Sequence, residues 1–185
     1  MADRRTERTR RAIRGALLRL LAAKPLAQIT VAELAAEAGI SRSTFYAHCP
    51  NTHRAFTSLV REFLEEVRPL PAQLRCGACS PKATGAGATP FCVALTADER
   101  WAALVRDPLF LPTVLELLEE EMEPTALAAY RAAGADEDEA RALYRFQMTG
   151  CYTAALAYGG RAGWPRMQAA IDTFIRGGLA ALRAR

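Results

Sequence analysis

Apolar residues recur every three or four positions along most of the chain, and this is the period of an amphipathic helix. The spacing predicts a first helix over residues 3–24, with Ile13, Leu17 and Leu21 on its buried side. Pro25 ends this helix, because proline disfavours helical geometry in the residue before it. The chain therefore opens with a helix that needs other elements to cover one of its faces.

Two short helices joined by a tight turn are predicted over residues 30–48. Thr30 and Glu33 have the spacing of a capping box, which marks the start of a helix. Gly39 suits the left-handed conformation in which helices commonly end, and Ser41 suits the N-cap of a second helix. A helix, a glycine-containing turn and a second helix form the helix-turn-helix pattern, whose second helix enters the DNA major groove.

The residues of this stretch, AxxAGISRSTFYxH, resemble the DNA-binding signature of the TetR/AcrR family of bacterial transcriptional regulators. The resemblance implies an all-α fold of about nine helices, with an N-terminal three-helix helix-turn-helix domain joined to a C-terminal helical ligand-binding and dimerisation domain. We expect the DNA-binding domain at residues 1–56 and the effector-binding and dimerisation domain at 57–185. Residues 69–90 are rich in Pro, Gly, Ser and Thr and are expected to form a flexible segment.

The second helix of the motif offers several side chains to DNA. Phe45 is expected to face inward, whereas Arg42 is the candidate for reading a base, because arginine pairs with guanine O6 and N7. The resemblance supports phosphate contacts by Tyr46 and His48, and it implies that the basic start of the first helix touches the DNA backbone. The candidate DNA contacts are Arg4, Arg5, Thr30, Ser41, Arg42, Ser43, Thr44, Tyr46, Ala47, His48 and Thr52.

One of these positions departs from the family pattern. Thr52 stands where the family's phosphate-binding lysine is expected. Operator affinity is then either lower or more dependent on the arginines of the first helix. The alternative is an interaction protein of the same fold that has lost DNA binding.

Charge is distributed unevenly along the chain. The net charge is +4, but residues 1–56 hold ten basic and four acidic residues, whereas residues 57–185 hold fourteen and sixteen. Binding to a phosphate backbone needs this kind of one-sided charge. The longest uncharged run near the end, residues 146–160, is shorter than the ~20 residues of a membrane helix. With no signal-peptide pattern at the start, we expect a soluble, cytoplasmic protein without a membrane partner.

The last two predicted helices are apolar over more than one face, although a surface helix normally buries a single stripe. The resemblance implies that these helices pair with their copies in a four-helix dimer interface. The candidate interface residues are Leu156, Ile171, Phe174, Ile175, Gly178, Leu179 and Leu182.

Apolar and amphipathic side chains in the body are candidates for lining an effector cavity, with ordinary core packing as the alternative. They are Trp101, Phe110, Tyr130, Phe146, Met148, Cys151 and Tyr152. The resemblance does not identify the effector.

Cysteine usage leaves one further alternative. The chain has five cysteines, and free thiols are the default. Cys76 and Cys79 have C-x2-C spacing, which is half of a zinc site or a redox pair, so a regulator that senses metal or redox state is the alternative reading. No second pair completes a metal site, and we expect neither a bound metal nor a cofactor.

No phosphate-binding loop, dinucleotide fingerprint or cluster of His with Asp or Glu is present in the sequence, so we expect no enzyme activity. The sequence as a whole predicts a homodimeric, ligand-responsive regulator, and the family makes a repressor the expectation. Its expected partners are a double-stranded operator with an inverted repeat, a second copy of itself and a small-molecule effector of unknown identity.

Overall fold

The computed structural model describes residues 2–66 and 91–185, without the side chains of residues 2, 3, 118–126 and 129. Cys76, Cys79 and the segment predicted to be flexible at 69–90 lie outside the described residues. The described residues form nine α-helices and no strand, which confirms the all-α prediction. The helices are α1 (Ala2–Ala23), α2 (Val31–Glu37), α3 (Arg42–His48), α4 (Thr52–Glu66), α5 (Phe91–Ala97), α6 (Ala102–Arg106), α7 (Phe110–Arg131), α8 (Glu137–Tyr158) and α9 (Trp164–Arg183).

The chain divides into two compact units. The first, which we call the head, extends to Phe63 and also contains Arg100–Thr113. The second, the body, takes the described residues from Leu64 to Glu99 and then Val114–Arg185. The sequence boundary between residues 56 and 57 therefore does not separate the same sets of residues, because a later segment of the chain packs with the head.

Aromatic stacking holds that later segment in the head. Phe63 is fully buried near the end of α4, and its ring meets those of Trp101 at 5.7 Å and Phe110 at 5.4 Å, both edge to face. Such aromatic pairs contribute ~0.5–1.5 kcal/mol each beyond the area they bury. Residues far apart in the sequence thus share one core with α1, whose Leu17 is also fully buried.

Helix α2 has a defined cap at each end. Thr30 accepts a hydrogen bond from the Glu33 N–H, and the Glu33 carboxylate accepts from the Thr30 N–H, so the predicted capping box is present. At the other end Gly39 has φ +66°, its N–H bonds to Ala36 O, and the Ile40 N–H bonds to Ala35 O. This pair of bonds is the Schellman motif, which turns the chain sharply towards α3.

The body contains α5, most of α7, and the long helices α8 and α9. Asp136 and Glu139 form the capping box that starts α8, and α5 packs along α8. Gln168 on α9 donates to Cys92 Sγ on α5 over 3.3 Å. Within the described part of the chain, no helix combines the length and the apolar character needed to cross a bilayer.

Electrostatics reinforce the start of α2. Lys24 Nζ donates to Glu33 Oε1 over 2.6 Å, and the Thr30 N–H and hydroxyl donate to Glu33 Oε2 over 2.9 and 2.8 Å. Lys24, followed by these two Thr30 donors, lowers the pKa of Glu33 from 4.5 to about 2. Lys24, the residue after the end of α1, is thereby tied to the first turn of α2.

We predict an acid-dependent loss of stability that comes from Glu33. Its pKa is lower in the folded chain, so its stabilising contribution is complete above pH 4.5 and is lost as the pH falls towards about 2. The free energy of unfolding, measured with urea at each pH in this range, should fall more steeply for wild type than for Glu33→Gln. Lys24→Met removes the lysine that donates to the same carboxylate and should also flatten the pH dependence. Equal slopes for wild type and Glu33→Gln would contradict the assignment.

Candidate nucleic-acid interface and helical body

The recognition helix α3 is only seven residues long and is anchored from one side. Phe45 is fully buried, as the sequence predicts, and it is the one buried residue of the helix. Tyr46 is 56% exposed and meets the Phe45 ring edge to face at 5.8 Å. Burial of one ring therefore directs the rest of the helix outward, and the side chains of Arg42, Ser43 and Ala47 are exposed.

Three hydroxyl groups at the start of α3 bond to one another. Ser41 Oγ accepts from the Thr44 N–H over 3.1 Å and lies 2.8 Å from both Ser43 Oγ and Thr44 Oγ1. Ser41 thus acts as the N-cap that the sequence predicts. The cluster fixes the first turn of the helix and holds the hydroxyls of Ser43 and Thr44 in place beside Arg42.

Acidic residues of the head neutralise only part of its positive charge. Arg11 and Arg14 pair with Glu7, Arg14 also pairs with Glu62, Arg19 pairs with Glu37 and Lys24 pairs with Glu33. The other arginines of residues 1–56 make no ion pair within the described residues: Arg4, Arg5, Arg8, Arg10, Arg42 and Arg54. All of these are exposed. The head therefore offers unpaired guanidinium groups on α1, α3 and α4.

The start of α4 shows what replaces the expected lysine. Asn51 Oδ1 accepts from the Arg54 N–H over 2.8 Å and so caps the helix, while Thr52 is half-buried. Arg54 is exposed on the same first turn. The sequence comparison with the family pattern singled out Thr52 but missed Arg54, which places a cation two residues further along.

One arginine from the basic start of α1 lines a hollow at the end of α3. Arg10, His48 and Ser58 border a hollow of about 110 Å³. Cys49 also lines this hollow; it is buried, and that burial raises the pKa of its thiol. His48 therefore lies next to an exposed arginine from α1, a neighbour that motif spacing alone does not show.

The candidate effector residues are divided between the two units. Trp101 and Phe110 belong to the aromatic core of the head. The other five are in the body: Tyr130, Met148 and Tyr152 are buried, Cys151 is half-buried and Phe146 is 67% exposed. These side chains were predicted to line one cavity, and the structure does not bring them together.

The candidate interface residues surround a hollow on the surface of the body. Phe174 is 71% exposed, and with Ile175, Gly178, Leu179 and Leu182 it lines a space of about 290 Å³. Tyr130 and Phe146 line the same hollow. Leu156 is exposed and Ile171 is half-buried, both outside this lining. Part of the set predicted for an effector therefore shares a surface with the set predicted for a dimer.

Among the described residues, no group of His, Cys, Asp and Glu has the arrangement of a metal site. Within that part of the chain, Cys49, Cys92 and Cys151 form no disulfide. Cys76 and Cys79, the pair with C-x2-C spacing, lie outside the described part.

The head resembles a known protein family. The family of bacterial regulatory proteins described as the tetR family matches residues 13–52. No curated protein matches the chain. Among solved structures, the chain is similar to the TetR family repressor AlkX from Dietzia sp. strain DQ12-45-1b, which is implicated in biodegradation of n-alkanes.

The similarity to AlkX has 18% sequence identity and a TM-score of 0.39, and it covers 94% of this chain and 97% of that one. A TM-score at this level is too low to transfer any property of that repressor. The family match instead falls on the residues that form the capped helix-turn-helix with its exposed recognition helix. Residues 13–52 are therefore similar to the DNA-binding domain of the tetR family of bacterial regulatory proteins.

Proposed function

We propose that this chain is a homodimeric, ligand-responsive repressor that binds an inverted-repeat operator. The observation that carries the proposal is the outer face of α3, where Arg42 is exposed and makes no ion pair or side-chain hydrogen bond within the described residues. A guanidinium left unpaired on a capped recognition helix is free to bond to the edge of a base.

The residues around Arg42 suit phosphate contacts, which position the helix without specifying sequence. We assign Ser43, Thr44, Tyr46 and His48 to this role, with Ser41 and Ala47 as close neighbours of the DNA. The N–H and hydroxyl of Thr30 both donate to Glu33, so a phosphate contact by Thr30 requires one of these bonds to be exchanged. Unpaired arginines at the start of α1, Arg4 and Arg5, supply long-range attraction to the backbone. Arg54 provides the positive charge that Thr52 lacks.

Dimerisation is proposed through α8 and α9. Phe146 and Phe174 are large apolar side chains left mostly exposed on these helices, with the hollow between them. A second copy that covers this surface removes two phenylalanine rings per chain from water, at about 25 cal/mol for each Å² buried. We therefore assign the hollow to the dimer contact.

The effector is proposed to bind within the helical body. Met148, Cys151 and Tyr152 lie on α8 away from the exposed Phe146, and they remain the candidates for an effector contact there. Binding that favours one arrangement of the body lowers operator affinity by the coupling free energy, typically ~1–3 kcal/mol.

The proposal is tested by selecting binding sites from random DNA duplexes with the full chain at low salt. We expect enrichment of two inverted half-sites whose centres are about 34–36 Å apart, or a multiple of this distance. Arg42→Glu serves as the control that should enrich no sequence. Failure of the wild-type chain to enrich any duplex, or enrichment of an unrepeated half-site, would contradict the proposal.

Two substitutions in α3 should separate base reading from phosphate contact. Arg42→Ala should relax preference at one position in each half-site, by ~1–3 kcal/mol of discrimination. Tyr46→Phe should weaken binding to all duplexes alike, by about 1.5–3 kcal/mol if its hydroxyl bonds to a charged phosphate. Affinities on the selected site and on single-base variants of it provide the measurement. The assignments are wrong if Arg42→Ala weakens all sequences equally or if Tyr46→Phe changes the preferred base.

A charge placed at the proposed dimer contact should produce monomers. Phe174→Glu buries an unpaired carboxylate at the contact and should raise the dimer dissociation constant at least ~30-fold, the effect of losing a hot-spot residue of about 2 kcal/mol. Sedimentation equilibrium measures this constant. Ala169→Glu is the matched control, because it adds the same charge to an exposed site on α9 about 140° around the helix. Dimers of unchanged stability in Phe174→Glu would refute this interface.

A further inference from the structure

One buried carboxylate in the head bonds to two distant parts of the chain. Asp107 is 4% exposed. Its Oδ2 accepts the Leu26 N–H over 2.7 Å, across 81 residues of sequence, and its Oδ1 accepts the Leu109 N–H over 2.9 Å. No cation pairs with Asp107 within the described residues. Backbone N–H groups are thus the donors that the structure provides for this charge.

The two donors lie at important positions. Leu26 begins a single 3-10 turn, Leu26–Gln28, between α1 and the Thr30 cap of the helix-turn-helix. On the other side, the carbonyl of Asp107 accepts the Phe110 N–H, the first residue of α7, over 2.9 Å. One residue therefore joins the segment leading into the helix-turn-helix to the start of α7.

Burial of the bonded residues opposes the breaking of this link. Leu26, Trp101 and Phe110 are all buried in the same unit. In such apolar surroundings a carboxylate that loses a donor is strongly destabilised, because no water replaces the lost bond. Small displacements of Leu26 relative to α7 are therefore disfavoured, and the two segments are expected to move together.

Helix α7 connects this link to the body along one continuous backbone. It begins at Phe110 in the head, passes into the body at Val114 and ends at Arg131. Near its end, Tyr130 is buried and lines the hollow beside Phe146 and Phe174. The Tyr130 hydroxyl donates a hydrogen bond to Gln147 Oε1 of α8. The start of α7 is therefore bonded to the residue that holds the segment before the helix-turn-helix. The end of α7 lines the hollow that is proposed for the dimer contact.

We infer that Asp107 is a positioning residue through which a displacement of α7 reaches the helix-turn-helix. It touches neither DNA nor effector; it keeps the Leu26–Gln28 turn, and with it the start of α2, in register with α7. The inference rests on the proposed ligand-responsive function. Coupling is reciprocal, so DNA bound at the head must also alter the far end of α7. Reciprocity allows a test without knowledge of the effector.

The variant that isolates the link is Asp107→Ser. Serine keeps an acceptor for the local Leu109 N–H, as Ser and Asp do in turns, but is too short to reach Leu26. Asp107→Asn is the second variant, because it keeps the shape and leaves one oxygen for two donors. Thr113→Val is the matched control, since it alters another buried polar residue of the head without touching the link.

Amide hydrogen exchange of the full chain provides the measurement, first without DNA. If Asp107 couples the two segments, Asp107→Ser raises exchange in 31–48 and in 127–131 by similar factors, at least about fivefold, the lower end of typical coupling. Thr113→Val should not raise these two segments together. Faster exchange confined to residues 26–28 in both Asp107 variants would overturn the inference. This arm does not depend on DNA binding.

The second arm adds a duplex enriched by the selection described above. In wild type, DNA should change exchange in 127–131 as well as in α3. In both Asp107 variants the response in α3 should persist while the response in 127–131 is lost, which a loss of stability alone does not produce. A wild-type response in 127–131 that survives in the Asp107 variants would refute the inference. A wild-type chain that binds no duplex would instead refute the proposed function. The exchange measured without DNA would then decide whether Asp107 couples the two segments.

Discussion

Burial of Phe45 is the contact on which the DNA-binding surface depends. Helices α2 and α3 have seven residues each, and isolated helices shorter than about 12–15 residues are marginal in water. The caps at Thr30 and Ser41 satisfy N–H groups at the helix starts, but only packing orients α3. Because Phe45 is the one buried side chain of α3, its ring sets the rotation of the helix and so decides which residues face outward.

Charge pairing then decides which cations remain available. The glutamates of the head pair with Arg11, Arg14, Arg19 and Lys24, and several of these pairs join elements, as Arg19 on α1 does with Glu37 on α2. The charge of those cations is therefore already matched within the head. The exposed Arg4, Arg5, Arg42 and Arg54 make no ion pair with the residues that the structure describes, so their charge is available to a polyanion. The basic residues of 1–56 are thus of two kinds: some pair with glutamates of the head, and the others are available to bind a phosphate backbone.

Local sequence signals predicted the helix-turn-helix closely, because caps, the glycine turn and the inward Phe45 are all decided within a few residues. The surplus of apolar residues near the end of the chain agrees with the exposed Phe174 on α9, whereas Phe146, a candidate for the effector cavity, is exposed on α8. The sequence could not show that residues 100–113 pack with the head, since this depends on Phe63 meeting rings about forty residues away. Nor could it show the bond between Asp107 and Leu26, because no short-range pattern marks a carboxylate whose donor is 81 residues distant.

The central claim is that unpaired arginines around an exposed recognition helix bind the DNA backbone. The dependence of duplex affinity on salt concentration tests this most directly. Each neutralised phosphate contributes a slope of about −0.9 to the plot of log affinity against log salt concentration. We predict a slope of about −3.6 or steeper on any duplex, for a dimer that engages at least roughly four phosphates. A slope near zero, or no binding at low salt, would contradict the account.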